Sequence, residues 1–414
     1  MDVEPITHNS KNRQIVMIGC FDTKGEDFSY LYTSLGQKGA EIVSINTGVF
    51  GSTELFPITY EADVVAEAAG TEISILREQK DRGVAIEKMG EGAAMIIAEL
   101  LSENRIDGII GMGGGGGTFI ALKAMKALPF GIPKLCLSTL ATKDLSTHIG
   151  SKDITLMPSV VDVAGLNSIS RVLISQAAGA ICAMADTDIT EVKHSAGSIA
   201  VSVFGNTTLC VDKCSELLKS QGYEVMAFHS VGVGGMTMEA LARDNCFDAI
   251  LDITTTELAD ELCGGICSAG PERLTAGSQK GLPQVVVPGC LDMVNFGALD
   301  TVPKKYKNRQ LYSWAPDVTL MRTNKEENKI LGELIAEKLN MSSAPVAILL
   351  PLGGLSKIGG IDEVFYNPEI DRVLFDAIKN NVNPSISVIE VPENINTIAF
   401  ANKATGVLLD IIKK

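Results

Sequence analysis

The strongest constraint on the fold of this 414-residue chain is a pattern that occurs twice. From Gln14 to Gly48 the sequence runs through an apolar stretch of strand length (IVMIG), a polar turn (CFDTKGED), a helical stretch from Phe28 to about Lys38, and a second apolar run, EIVSIN. Strand, turn, helix and strand within roughly 30 residues make a βαβ unit, whose strands lie parallel and whose crossover is right-handed almost without exception. Because the apolar runs are continuous rather than alternating, the sheet must be covered on both faces. Residues Ser198 to Gly232 can be laid on the same template, with Phe204 over Phe21 and Gly222 over Gly39. Further on, DAILDITTTE (Asp248 to Glu257) parallels DGIIGMGGGG (Asp107 to Gly116). Two copies predict two tandem Rossmann-like, doubly wound α/β domains with mainly parallel sheets.

The polar stretch after Asp186 reads as a linker over 187–197, between a nucleotide-binding first domain at 1–186 and a second domain at 198–414. Further strands are expected at Ile106 to Met112, Lys134 to Ser138 and Ile154 to Val161, with helices near 84–103, 118–127 and 165–184. The second domain adds strands at Pro283 to Gly289, Pro345 to Pro351 and Ser385 to Val391, and a closing helix from about Asn394 to Ile412. A formal charge of −15 argues against nucleic acid as a partner. Apolar runs stop short of the roughly 18 to 20 residues needed to cross a bilayer, and the polar start MDVEPITHNSKNR lacks a signal-peptide core, so no membrane is expected and the location is cytoplasmic. Nine cysteines read as reduced thiols; the CxxxC pairs Cys210/Cys214 and Cys263/Cys267 give helical faces rather than zinc knuckles. His8, His148, His194 and His229 are too scattered to form a local metal site.

In open parallel sheets, ligands sit beyond the carboxyl ends of the strands, where helix N-termini offer free N–H groups to anions. MGGGGGTF is the most telling of these loops: Gly113, Gly114, Gly115, Gly116 and Gly117 precede Thr118, which opens a helix. Each glycine costs up to about 1 kcal/mol of backbone ordering relative to alanine, so five in a row point to close backbone approach by phosphate. After the first strand, Asp22 offers a Mg²⁺ or ribose acceptor, Thr23 a hydroxyl and Lys24 a cation, or else Asp22 and Thr23 cap a helix beside a solvated Lys24. Asn46, Thr47, Ser138 and Thr139 stand at neighbouring strand ends. In the second domain, Asp252, Thr254, Asp292, Asn295, Gly353, Gly354 and Ser356 are candidates for a second site. The glycine amides and a helix start near Ser356 would favour a small anion there. Lys304, Lys305, Lys307 and Arg309 read as a solvated face. No Walker A sequence, HExxH or GxSxG appears.

IVMIGCFDTKGED, GMGGGGGT, PGCLDMVNFG, TLMRTNKEE and LPLGGLS together resemble the Tm-one-like ATP-binding family, over nearly the whole chain. The resemblance implies two Rossmann-like domains, ATP held by the first, dimerisation and no settled catalytic activity; Mg²⁺ is expected with the ATP from the position of Asp22. It carries the glycine loop with Thr118, and Asp22, Thr23 and Lys24, over as nucleotide contacts. Plant members bear a further C-terminal barrel domain that this sequence lacks, which makes a separate barrel protein an expected partner. The expected function is ATP-dependent phosphoryl or adenylyl transfer to a small acid or sugar at an interdomain cleft, chemistry that rests on positioning and charge and needs no nucleophile motif. The alternative is a non-catalytic, ATP-responsive binding protein.

Overall fold

A computed structural model describes residues 13–187 and 196–413, so most of the expected linker lies outside the described residues. The chain divides into two compact units, Met1–Thr190 and Glu191–Lys414. Unit one contains β1 (Gln14–Gly19), α1 (Phe21–Gly36), β2 (Glu41–Asn46), α2 (Ala62–Ala68), α3 (Ile73–Gln79) and α4 (Arg82–Ser102). It continues with β3 (Gly108–Gly113), α5 (Gly115–Met125), β4 (Lys134–Ser138), α6 (Ser146–Ile149), β5 (Ile154–Pro158) and α7 (Ser168–Ala185). Its five strands are all parallel in the order β2-β1-β3-β4-β5.

The apolar strands are buried on both faces, as their continuous patterning requires. Val16 and Ile18 of β1 pack with α2, α4 and α5, whereas Ile15 and Met17 point the other way, against α1 and α7. Among the described residues one helix, α7, has the length and apolar character to cross a bilayer. Its Ile174, Ala177, Ala178 and Ile181 are buried in the core shared with β1 and α1, while Arg171 and Gln176 are exposed.

Unit two contains β6 (Ser198–Val203), α8 (Thr208–Ser220), β7 (Glu224–His229), α9 (Val233–Arg243), β8 (Ala249–Thr254), α10 (Thr256–Cys263), α11 (Ala276–Lys280) and β9 (Gln284–Gly289). Then come β10 (Met293–Phe296), β11 (Leu311–Ala315), β12 (Val318–Arg322), α12 (Lys325–Asn340), β13 (Val346–Pro351), α13 (Pro368–Asn381), β14 (Ser387–Val391) and α14 (Ile398–Ile412). The main sheet runs β14-β13-β9-β8-β6-β7, again all parallel. A separate antiparallel sheet, β10-β12-β11, is inserted between β9 and β13, and its first strand lies in PGCLDMVNFG, which sequence reading expected to be a strand-end loop.

The two units repeat each other down to single hydrogen bonds. Asp107 accepts the Gln14 N–H at 2.7 Å and Asp248 accepts the Ser198 N–H at 2.7 Å. Gly39 and Gly222 both turn the chain with left-handed backbone, φ 77° and 87°, a conformation that glycine adopts without steric cost. All nine cysteines are free. Cys210 and Cys214 share a buried face of α8, but α10 ends at Cys263, so Cys263 and Cys267 do not share a helical face.

Candidate functional site

With the order β2-β1-β3-β4-β5, the helices after β1 and β3 leave on opposite faces of the sheet and open a crevice at the carboxyl ends of those two strands. A cavity of about 670 Å³ lies there, within the usual size range of small-molecule sites. Four segments line it: Cys20 with Asp22, Thr23 and Lys24; Thr47 to Phe50; Leu76 to Met89 in part; and Met112 to Gly117 with Ile120. Buried apolar residues are part of its lining: Leu76, Met89 and Ile120, which share one core, and Met112, whose core lies on the other face of the sheet.

The helix expected to open at Thr118 starts three residues earlier. Gly113 closes β3, Gly114 is the N-cap, and Gly115, Gly116 and Gly117 form the first turn of α5, ahead of the first helical bond, Thr118 N–H to the Gly114 carbonyl (2.9 Å). Their amides therefore have no partner within the helix. None of the five glycines has a positive φ, so left-handed geometry does not explain them. Close packing explains some: a Cβ on Gly113 would lie 3.1 Å from the Gly117 Cα. At Gly115 a Cβ would meet nothing within 4 Å. The fold has room for a side chain there, on a residue that lines the cavity.

Asp22, Thr23 and Lys24 also belong to a helix rather than a turn, because α1 begins at Phe21. Lys24 breaks its regularity, with φ −129° and ψ 24°. The Asp22 carboxylate accepts the Phe50 N–H at 3.0 Å through Oδ2, whereas the buried Oδ1 has no partner among the described residues. A Cβ on Gly48 would lie 2.2 Å from Oδ1, so Gly48 is what lets this carboxylate sit where it does. Burial pushes the Cys20 thiol up, outweighing the Thr47 hydroxyl, Lys24 and Arg82, so this cavity-lining cysteine is not an activated nucleophile.

Four candidates lie behind the cavity instead of facing it. Asn46 accepts the N–H groups of Phe21 (3.2 Å) and Gly48 (2.9 Å) and donates to Gly51 and Glu61, bracing the loops after β1 and β2. The buried Thr118 and Ser138 hydroxyls bond each other at 2.6 Å, and the Thr139 N–H bonds the Gly113 carbonyl at 3.2 Å. Sequence reading missed Arg77, Lys80 and Arg82, which come from α3, the α3–α4 connection and the start of α4. Arg77 donates to the Val49 carbonyl. Lys80 holds left-handed backbone at φ 51°, a conformation that costs a non-glycine residue roughly 1–2 kcal/mol. Cationic lining groups thus outnumber acidic ones, Lys24, Arg77, Lys80 and Arg82 against Asp22 and Asp81, in a chain of net charge −15.

In unit two the corresponding strand end is filled by the protein itself. Where unit one has Gly111, Gly113 and Gly116, the aligned residues are Asp252, Thr254 and Glu257. Arg273, fully buried, makes a bidentate pair with Asp252 (2.6 and 2.8 Å), bonds Glu257 at 2.6 Å and the Thr254 carbonyl at 3.1 Å, and approaches Glu239 at 3.3 Å. Glu257 also accepts the N–H groups of Gly232 (2.8 Å) and Gly235 (3.0 Å), occupying the start of α9 as an anion would. Burial raises the Glu257 carboxyl against the pull of Arg273 and those amides.

The other second-domain candidates are equally enclosed. Asp292 takes the Ser356 hydroxyl at 2.6 Å, and Asn295 donates at 2.8 Å to Asp260, whose carboxyl burial pushes to about 7. The expectation of free amides at Gly353 and Gly354 is corrected: they bond the Glu393 (3.1 Å) and Pro351 (3.2 Å) carbonyls. Nor does a helix start at Ser356; the next one begins at Pro368. Among the described residues no cluster of three or more His, Cys, Asp or Glu forms a metal site.

Fold and site together define a tandem doubly wound α/β protein with a cation-rich crevice at the switch point of its first unit. The chain belongs to the Uncharacterised protein family (UPF0261), matching its N-terminal domain over residues 13–190 and its C-terminal domain over 197–412. A UPF0261 protein of Clostridium tetani is 44% identical over 97% of this chain and its own full length. The UPF0261 protein RA0729 of Rhizobium meliloti is 40% identical over 96% of this chain and 99% of its own length. The ToMV resistance protein Tm-1(GCR237) of Solanum lycopersicum is 35% identical over 99% of this chain, which spans 57% of the tomato protein.

Proposed function

We propose that unit one binds ATP at the switch-point crevice and that the protein uses it for phosphoryl or adenylyl transfer to a small acid or sugar. The observation that carries the nucleotide reading is Gly115: it has ordinary backbone geometry and open space where a side chain would stand, so its lack of one is best explained by a ligand approaching the backbone. The phosphates would meet the free amides of Gly115 to Gly117 with Lys24 alongside, and the base would lie on the apolar side of Leu76, Met89 and Ile120. Asp22, with its unpartnered Oδ1, would hold Mg²⁺, which would neutralise phosphate charge when bound. A homodimeric state, a small anionic acceptor and a cytoplasmic location belong to the same proposal.

Lys24→Ala tests this reading. It should weaken ATP binding by about tenfold, or roughly 1.4 kcal/mol, while changing adenosine binding little, because only ATP presents the charge that the ammonium opposes. Equal losses for both ligands, measured by calorimetry, would return Lys24 to the solvated surface. Release of ADP or pyrophosphate from ATP only in the presence of an acceptor would mark the protein as a transferase. Binding without turnover across a panel of acids and sugars would favour an ATP-responsive binding protein that uses the same site.

A further inference from the structure

Resting on that reading of the crevice, we propose that the connection Lys80–Arg82 is a triphosphate-reading arm, which sets the preference of the site for nucleoside triphosphates over monophosphates. Arg82 opens α4, and its Nη2 lies 3.7 Å from where a Cβ on Gly116 would stand, so the guanidinium reaches over the first turn of α5. Neither Arg82 nor Lys80 has an ion-pair or side-chain hydrogen-bond partner among the described residues, although both line a cavity that also holds Lys24 and Arg77. Four cations against the two carboxylates of Asp22 and Asp81 leave a net positive lining, and a polyanion relieves the remaining repulsion.

The position of Lys80 gives the second argument. It follows α3 in left-handed backbone, at φ 51°, where glycine or asparagine ends a helix without strain. A lysine there carries a backbone cost that glycine would not, and its side chain is one of those that line the cavity. The lining of the cavity then decides which phosphates the arm meets. The buried Leu76, Met89 and Ile120, which share one core, give the cavity an apolar side suited to the base, whereas Lys80 and Arg82 are exposed. A nucleotide with its base on that side would bring its outermost phosphates to the arm, beyond the reach of a monophosphate.

The test uses the whole chain and calorimetric titration with ATP, ADP and AMP at fixed ionic strength. Arg82→Ala should weaken ATP by about tenfold and AMP by less than about threefold, and Arg82→Lys should restore much of the lost ATP affinity, since a point charge replaces the fork. Lys80→Gly should move stability and binding in opposite directions. Its thermal midpoint should hold or rise as the strain is relieved, while ATP affinity falls by about fivefold or more with AMP nearly unchanged. Losses equal for ATP and AMP would overturn the arm while leaving nucleotide binding intact. Failure of the unsubstituted protein to bind any of the three nucleotides would overturn both readings.

Discussion

Replacing Arg273 with methionine should destabilise unit two by about 3–5 kcal/mol, the usual cost of removing one side of a buried ion network. Asp252, Glu257 and Glu239 would be left facing one another in an interior where they are at most 5% exposed. Methionine fills comparable apolar volume, so the loss would report charge rather than a cavity. The single tryptophan, Trp314, lies in β11 of this unit and supplies a fluorescence signal for denaturant unfolding. The pH dependence should carry a definite sign. Glu257 already has a raised folded-state pKa, so folding favours its protonated form. Without Arg273 that preference should strengthen, and the variant should lose stability as pH rises from the ordinary carboxylate range through the raised value. A variant as stable as the unsubstituted protein, or one whose stability rises with pH, would contradict this role for Arg273.

Gly115→Val should abolish ATP binding within the range of an ordinary titration, a loss of at least about tenfold or 1.4 kcal/mol, while leaving the thermal midpoint close to its starting value. A Cβ at Gly115 meets no atom within 4 Å, so the fold has room for the start of a side chain there. Gly92→Ala is the contrasting control, since its Cβ would lie 1.8 Å from the Val65 carbonyl oxygen where α4 crosses α2. That variant should lose stability outright. If Gly115→Val were to bind ATP as before, the glycine run would be no more than the start of a helix.

The sheets were legible because buried parallel strands announce themselves as uninterrupted apolar runs. EIVSIN and KLCLS became β2 and β4 with their ends unchanged. The start of α1 was hidden, because Asp22 to Asp27 is polar and contains Gly25, and the irregular Lys24 is the physical trace of that weak helical signal. The antiparallel insertion was also missed: Met293–Phe296 is four residues long and lies inside PGCLDMVNFG, whose proline and glycines read as loop.

The glycines, Asp22 and Lys24 stand out in the sequence because they come at the ends of strands β1 and β3, and all of them line the cavity. Lys80 and Arg82 lie in the long β2–β3 crossover, and only the fold brings them to the same crevice. Asp81 carried a faint signal, as it caps α4 by accepting the Val84 N–H at 3.0 Å. In unit two, Asp252 and Thr254 had the right position for a ligand site, but Arg273 enters from 21 residues further along the chain and takes that place. Sequence position at a strand end locates a crevice; it does not say whether the protein fills the crevice itself.

The most direct test of the central claim is a crystal structure of the protein grown with ATP and Mg²⁺. Nucleotide density should lie at the carboxyl ends of β1 and β3, with phosphate oxygens within about 2.7–3.2 Å of the amide nitrogens in the Gly115–Gly117 turn. Density for ATP elsewhere, with the crevice holding only solvent at saturating nucleotide, would contradict that claim.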